Sequence, residues 1–96
     1  MKTLYNAQLI NKELISNCNF PPTDIHQTKD EIVILKHKLE QAAKLGNIEK
    51  QKCKLYFQDN EGVKLVETTV WAACEKNIVI KYGICIPIRR IIDIEY

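Results

Sequence analysis

Any chemistry in this chain has to come from two histidines, four cysteines, scattered carboxylates and a few aromatic side chains beside lysine or arginine. A catalytic thiol needs a base. The histidines are His26 and His37, and neither makes a recognisable motif with Cys18, Cys53, Cys74 or Cys85. The cysteines are spaced by 35, 21 and 11 residues with no C-x-x-C pair, so neither a metal knuckle nor a redox motif is written here. Cys53 and Cys85 read as small core hydrophobes on strands. His37 lies between Lys36 and Lys38 and has no histidine or acid four residues away, which makes it a solvated side chain rather than a ligand. Asp59, Glu61 and Glu67 do not form a pair that spacing alone would juxtapose for acid–base work. Gly46, Gly62 and Gly83 are isolated turn glycines, not a phosphate-cradling loop. The sequence therefore assigns no catalytic residue, no cofactor and no metal, and an enzyme is the least favoured class.

Binding chemistry is better represented. Lys54 with Tyr56, and Lys81 with Tyr82, are the aromatic–basic interleavings of the chain. Strand alternation turns both tyrosines away from the most apolar stripes. Trp71, the single tryptophan, reads first as an anchor inside a small barrel. A subunit contact and a base-stacking platform stay open as its other roles. Arg89-Arg90 could clamp a phosphate or a partner's carboxylate, although ion pairs to Asp93 or Glu95 are the plainer reading. Lys54, Tyr56, Trp71, Lys81, Tyr82, Arg89 and Arg90 together make the candidate binding surface.

Charge limits what such a surface would meet. The net charge is +2, too little by itself to argue for nucleic acid. Its distribution is uneven. Residues 29–54 hold seven lysines against four acids, and residues 55–96 hold five cations against six acids. A solvated helix face explains the first excess most simply. No apolar run approaches a membrane span, and the first residues lack the pattern of a signal peptide. The expectation is a cytoplasmic chain with reduced thiols and no membrane partner.

The elements that must position these residues are legible in outline. Ninety-six residues allow one domain, which buries roughly 60–65% of its unfolded surface. Residues 1–27 read as an N-terminal arm and connector. Leu4, Leu9, Ile10, Leu14 and Ile15 are its apolar residues, Leu9 to Ser16 read as a short helix or an arm for a neighbouring subunit, and Pro21-Pro22 breaks the chain. Residues 28–96 read as a helix-plus-barrel domain. Thr28-Lys29-Asp30-Glu31 is a capping box that opens a helix. Ile32, Leu35, Leu39, Ala42 and Ala43 follow the helical period, widened by Val33, Ile34 and Leu45. Gly46-Asn47 supplies a stop. From residue 52 the period becomes two. Cys53, Leu55 and Phe57 mark a first strand, and residues 63–73 a long, β-branched second strand that must bend. Residues 78–82, 84–88 and 92–96 complete five strands. The fold class expected is α+β: an N-terminal helix followed by a five-stranded antiparallel, strongly curved sheet or small SH3-like barrel.

Three segments carry a resemblance. Val66-Glu67-Thr68-Thr69-Val70-Trp71, Ile80-Lys81-Tyr82-Gly83 and Ile86-Pro87-Ile88-Arg89-Arg90-Ile91 resemble the V-x-T-T-x-W, L-K-x-G-like and I-P-I-x-x-I pattern of a family of small uncharacterised bacterial proteins, over about residues 40–96. That family has no assigned activity and lends no site residues. The order strand–turn–strand–3₁₀–strand is also similar to SH3-like and Sm-like small barrels, but the motifs of the bacterial Sm-like RNA chaperones are missing. The leading expectation is a non-enzymatic module working through homo-oligomeric or protein–protein contacts. The alternative is a small barrel that binds RNA or single-stranded DNA, with Lys36, Lys38, Lys50, Lys52, Lys54, Arg89 and Arg90 as its cations.

Overall fold

The structure, a computed structural model, describes residues 7–96. Leu4 of the apolar arm lies outside the described residues. Thr28 starts helix α1, Lys29–Glu49, where its Oγ1 accepts from the Glu31 amide at 3.2 Å. Glu31 completes the cap one residue further back than expected, its carboxylate accepting from the Gln27 amide at 2.9 Å. The buried stripe is Leu35, Leu39, Ala42, Ala43 and Gly46, one face of a 3.6-residue period. Val33 and Ile34, expected to widen it, are exposed instead. The helix also runs through the expected Gly46-Asn47 stop and ends at Lys50, whose φ is 57°.

Gly46 has another task. A Cβ built on it would stand on the carbonyl oxygen of Val70 and 2.8 Å from Thr69 Cγ2. The helix backbone thus lies directly against the chain at residues 69–70, and glycine is what permits that approach.

Seven strands form two sheets. The first holds β1 (Gln8–Leu9), β2 (Cys53–Gln58), β3 (Val63–Thr68) and β7 (Ile91–Glu95) in the order β1-β3-β2-β7. The second holds β4 (Val70–Ala73), β5 (Asn77–Ile80) and β6 (Ile84–Pro87) in that order. This corrects the expected five-stranded barrel. Neither sheet is closed or strongly curved, and β1 pairs with β3 in parallel rather than antiparallel. The physical reason lies at Thr69. The run 63–73 does not bend within one sheet: it stops where α1 presses on it, and Val70 begins a different sheet. Thr69 gives its carbonyl to the Lys81 amide at 3.1 Å. Among the described residues no ladder joins the two sheets, so each keeps two edges.

Between sheets and helix lies one core that includes Leu39, Leu55, Phe57, Val66, Val70, Ile78, Ile80, Ile86 and Ile91. The arm belongs to it: Ile15, in a 3₁₀ turn over Lys12–Asn17, is 1% exposed, and the Phe20 ring meets Phe57 at 5.7 Å.

Charges are buried where the connector crosses the first sheet. Arg90 is 6% exposed. Its Nε donates to the Gln58 carbonyl at 3.0 Å and its Nη1 to the Thr23 carbonyl at 2.9 Å. Arg89 donates from Nε to the Pro21 carbonyl at 3.2 Å. The expected ion pairs to Asp93 and Glu95 are not made; Asp93 is taken by Lys38 at 3.0 Å. In the β2–β3 turn, Asp59 Oδ1 accepts from the Glu61 and Gly62 amides. Its Oδ2 lies 2.6 Å from Lys64 Nζ, which reaches Glu61 at 2.9 Å. Burial would raise the Asp59 carboxyl, but the Lys64 ammonium and the Glu61 amide outweigh it and hold it below its ordinary range. The same carboxylates raise Lys64.

Gly46→Ala gains helix propensity of about 1 kcal/mol but overpacks against backbone, at a cost of about 1–3 kcal/mol; urea titration is expected to show a net loss of stability, whereas an unclashing helical glycine would show a gain. Asp59, with its folded pKa below its unfolded one, stabilises the protein fully above about pH 4, and that contribution is lost as pH falls through the folded value. Asp59→Asn is therefore expected to flatten the acid limb of stability against pH, and an unchanged limb would refute the assignment.

Candidate functional site

Of the seven candidate surface residues, the structure brings three together. Trp71 is 44% exposed, not the core anchor expected of it. The register of β4 on β5 shifts between Val70 and Ala72, so Trp71 is the extra residue of a bulge. A bulge re-aims the side chain it carries. The amide of Asn47, on the last turn of α1, donates to the Trp71 carbonyl at 3.0 Å and fixes the bulged backbone. Trp71 lines a concavity of about 420 Å³ with Lys50, Lys52 and Lys81, and no carboxylate lines it.

Tyr82 stands next to that concavity. It is 63% exposed in the turn Lys81–Gly83. Lys81 Nζ lies 5.5 Å from the centre of its ring and Lys12 Nζ 5.6 Å, within cation–π range. Lys81 therefore serves both aromatic residues. Lys12 was not singled out by the sequence, because 70 positions separate it from Tyr82.

The backbone at this place is unusual. Among the described residues the non-glycine residues with positive φ are Lys50 at 57° and Tyr82 at 70°. Left-handed backbone costs a side chain roughly 1–2 kcal/mol, and helix ends and tight turns ordinarily give these positions to glycine or asparagine. Both residues belong to the aromatic–basic cluster.

The other candidates lie elsewhere. Tyr56, expected to face out, is 1% exposed, and its hydroxyl is 3.5 Å from Glu95. Alternation failed here because both faces of β2 are covered at that point. Lys54 is half-buried on the same strand. Arg90 is structural, as described above, and Arg89 borders a separate cavity.

Groups able to do covalent chemistry are disposed differently. Cys53 is buried, and burial pushes its thiol up to about 11. Cys18 is raised by burial and then by Asp59 beside it. Cys85, expected inside, is exposed like Cys74. Among the described residues no three His, Cys, Asp or Glu side chains gather around a metal-sized space, and no helix is long and apolar enough to cross a membrane. A cleft of about 330 Å³ between α1 and β7 is lined by Ile25, Ile34, Leu35 and Ile92. Its polar groups are already engaged: Lys38 with Asp93, Glu31 with the Gln27 amide, and His26 with Asp24 at 2.8 Å and the Ile91 carbonyl at 2.7 Å.

If Lys50 and Tyr82 are held in strained backbone, relieving it must stabilise the chain. Lys50→Gly and Tyr82→Asn are each expected to raise stability by about 0.5–1 kcal/mol, read from denaturation midpoints. A loss in both would mean that the side chains are there for packing. No family model matches the chain, nor does any curated protein or solved structure, so the resemblance to a small bacterial family finds no support.

Proposed function

We propose that this chain is a non-enzymatic binding module for single-stranded nucleic acid, RNA or DNA, and that Trp71, Tyr82, Lys12, Lys50, Lys52 and Lys81 form its contact surface. One observation carries the reading. A bulge and two left-handed residues, each a local departure from ordinary backbone, gather at one acid-free concavity lined by the Trp71 ring, with the exposed Tyr82 ring beside it against Lys81. Rings presented beside lysines that hold no carboxylate suit a ligand that alternates planar faces with negative charge. Stacking a base on an aromatic side chain contributes about 1–3 kcal/mol and tolerates any base. Among the described residues none of these four lysines is in an ion pair, so phosphates need displace no carboxylate. Free surface thiols at Cys74 and Cys85 suit a reducing compartment such as the cytoplasm.

A second reading, contact with another protein or a second copy, draws on Val33 and Ile34, 65% and 59% exposed beside the α1–β7 cleft. The charge argument does not apply there, so salt separates the two.

Trp71 is the single tryptophan, and its fluorescence reports the site directly. Titration with oligo(U) or oligo(dT) of 12 nucleotides is expected to quench it saturably. With about three to four phosphates engaged, log K should fall with log salt at a slope of about −2 to −3. Trp71→Ala and Tyr82→Asn, read by anisotropy of a labelled strand, test the rings; loss of either is expected to weaken binding by about 1–3 kcal/mol. Absence of quenching at low salt, together with a light-scattering mass above one chain that salt leaves unchanged, would replace this reading with the second.

A further inference from the structure

We infer that the chain carries a second, separate site, for a small phosphate monoester with a short apolar body, in the cavity where Lys36, Lys76 and Arg89 meet over Ile32 and Ile88. The cavity measures about 270 Å³ and lies between α1, the β4–β5 turn and the end of β6. Its net charge follows from the groups that line it. Asp24 is engaged by His26, through both the ring and the backbone amide at 2.8 Å. Lys36, Lys76, Arg89 and Glu75 are in no ion pair among the described residues. Lys36, Lys76 and Arg89 face two carboxylates there, Glu75 and Asp24, an excess of one cation that a protonated His26 raises to two; an excess of that sign receives a phosphate monoester, whose charge is about −1.5 to −2.

The cations are held in place from behind. Arg89 spends its Nε on the Pro21 carbonyl, which fixes the guanidinium and leaves its terminal nitrogens without a described partner. The Ile88 amide donates to the Lys76 carbonyl at 2.9 Å, so the turn carrying Lys76 is tied to the segment carrying Arg89. Arginine's remaining fork suits two phosphate oxygens. The walls supplied by Ile32, half-buried, and Ile88, 4% exposed, suit an apolar group no larger than a ring. This site does not rest on the nucleic-acid reading: no Phe, Tyr or Trp lines it. The neighbouring stretch along α1 carries Glu40 and Glu75 against Lys36 alone, so a nucleic-acid strand would not track from one site to the other.

The test is a ¹H–¹⁵N NMR titration of the whole chain with phenyl phosphate, with sodium chloride of matched ionic strength as control. Saturable shifts are expected at Lys36, Lys76, Ile88 and Arg89, half-complete below about 1 mM, with inorganic phosphate at least several-fold weaker. Because Arg89 also anchors Pro21, the decisive variant is Lys36→Gln with Lys76→Gln, expected to weaken phenyl phosphate at least ten-fold at unchanged melting temperature. Trp71→Ala is expected to leave it unchanged, so the site can stand if the nucleic-acid reading fails. Equal shifts with sodium chloride, shifts scattered over the surface, or full binding by the double variant would each overturn the proposal.

Discussion

The helix reaches the sheets only because residue 46 has no side chain. At that point the backbone of α1 meets the carbonyl of Val70, closer than any Cβ would allow. Consequences follow in both directions along the strand. Thr69, beside the contact, leaves the first sheet and hands its carbonyl to Lys81. Trp71, one residue beyond, is pushed out as a bulge and tied by Asn47 from the same helical turn. Separation of the two sheets and display of the indole are thus one event. Chain closure into a barrel would need residues 63–73 to stay in register through the place where the helix presses hardest.

The second constraint is the burial of charge under the connector. Removing a charge from water costs several kcal/mol unless it is paired or fully hydrogen-bonded. Arg90 meets the condition with carbonyls of Gln58 and Thr23, and Lys64 meets it with Asp59 and Glu61. Each of these fastens irregular chain to a strand. Residues 18–26 pack Cys18 and Phe20 against the core, and beyond Phe20 the chain is fastened through the backbone carbonyls of Pro21 and Thr23, bound by Arg89 and Arg90. The same anchoring sets Arg89 at the rim of the phosphate cavity with part of its guanidinium unused.

The features carried by short-range rules were legible in the sequence. The Thr28 cap, the change of period after the helix and the turn at residues 59–62 each depend on a few neighbouring residues. Illegible were the features decided by contacts across the fold. Gly46 reads locally as a stop, because nothing near it announces the approach of Val70. Tyr56 reads as outward by alternation, which assumes one wet face, while β2 at that point is covered on both. Trp71 reads as core because large apolar residues usually are, and a one-residue bulge reverses the face of a strand without any signature in composition. The partner of Tyr82, Lys12, was beyond reach for the same reason.

What separates the Trp71–Tyr82 cluster from an ordinary solvated surface is where the chain disobeys its own local preferences. Sequences that fold reliably agree with their structure at each level, and the exceptions gather where something other than stability was selected. Here the turn at 59–62 obeys: Asp59 caps it and glycine takes the φ of 138°. The turn at Lys81–Gly83 obeys only at Gly83, and the preceding left-handed position goes to a tyrosine with its ring in water. The helix end obeys in shape but gives its left-handed position to Lys50. Neither choice adds buried area, since both residues are exposed. A ring and an ammonium group kept at energetic cost around one acid-free hollow are explained by a ligand more economically than by the fold.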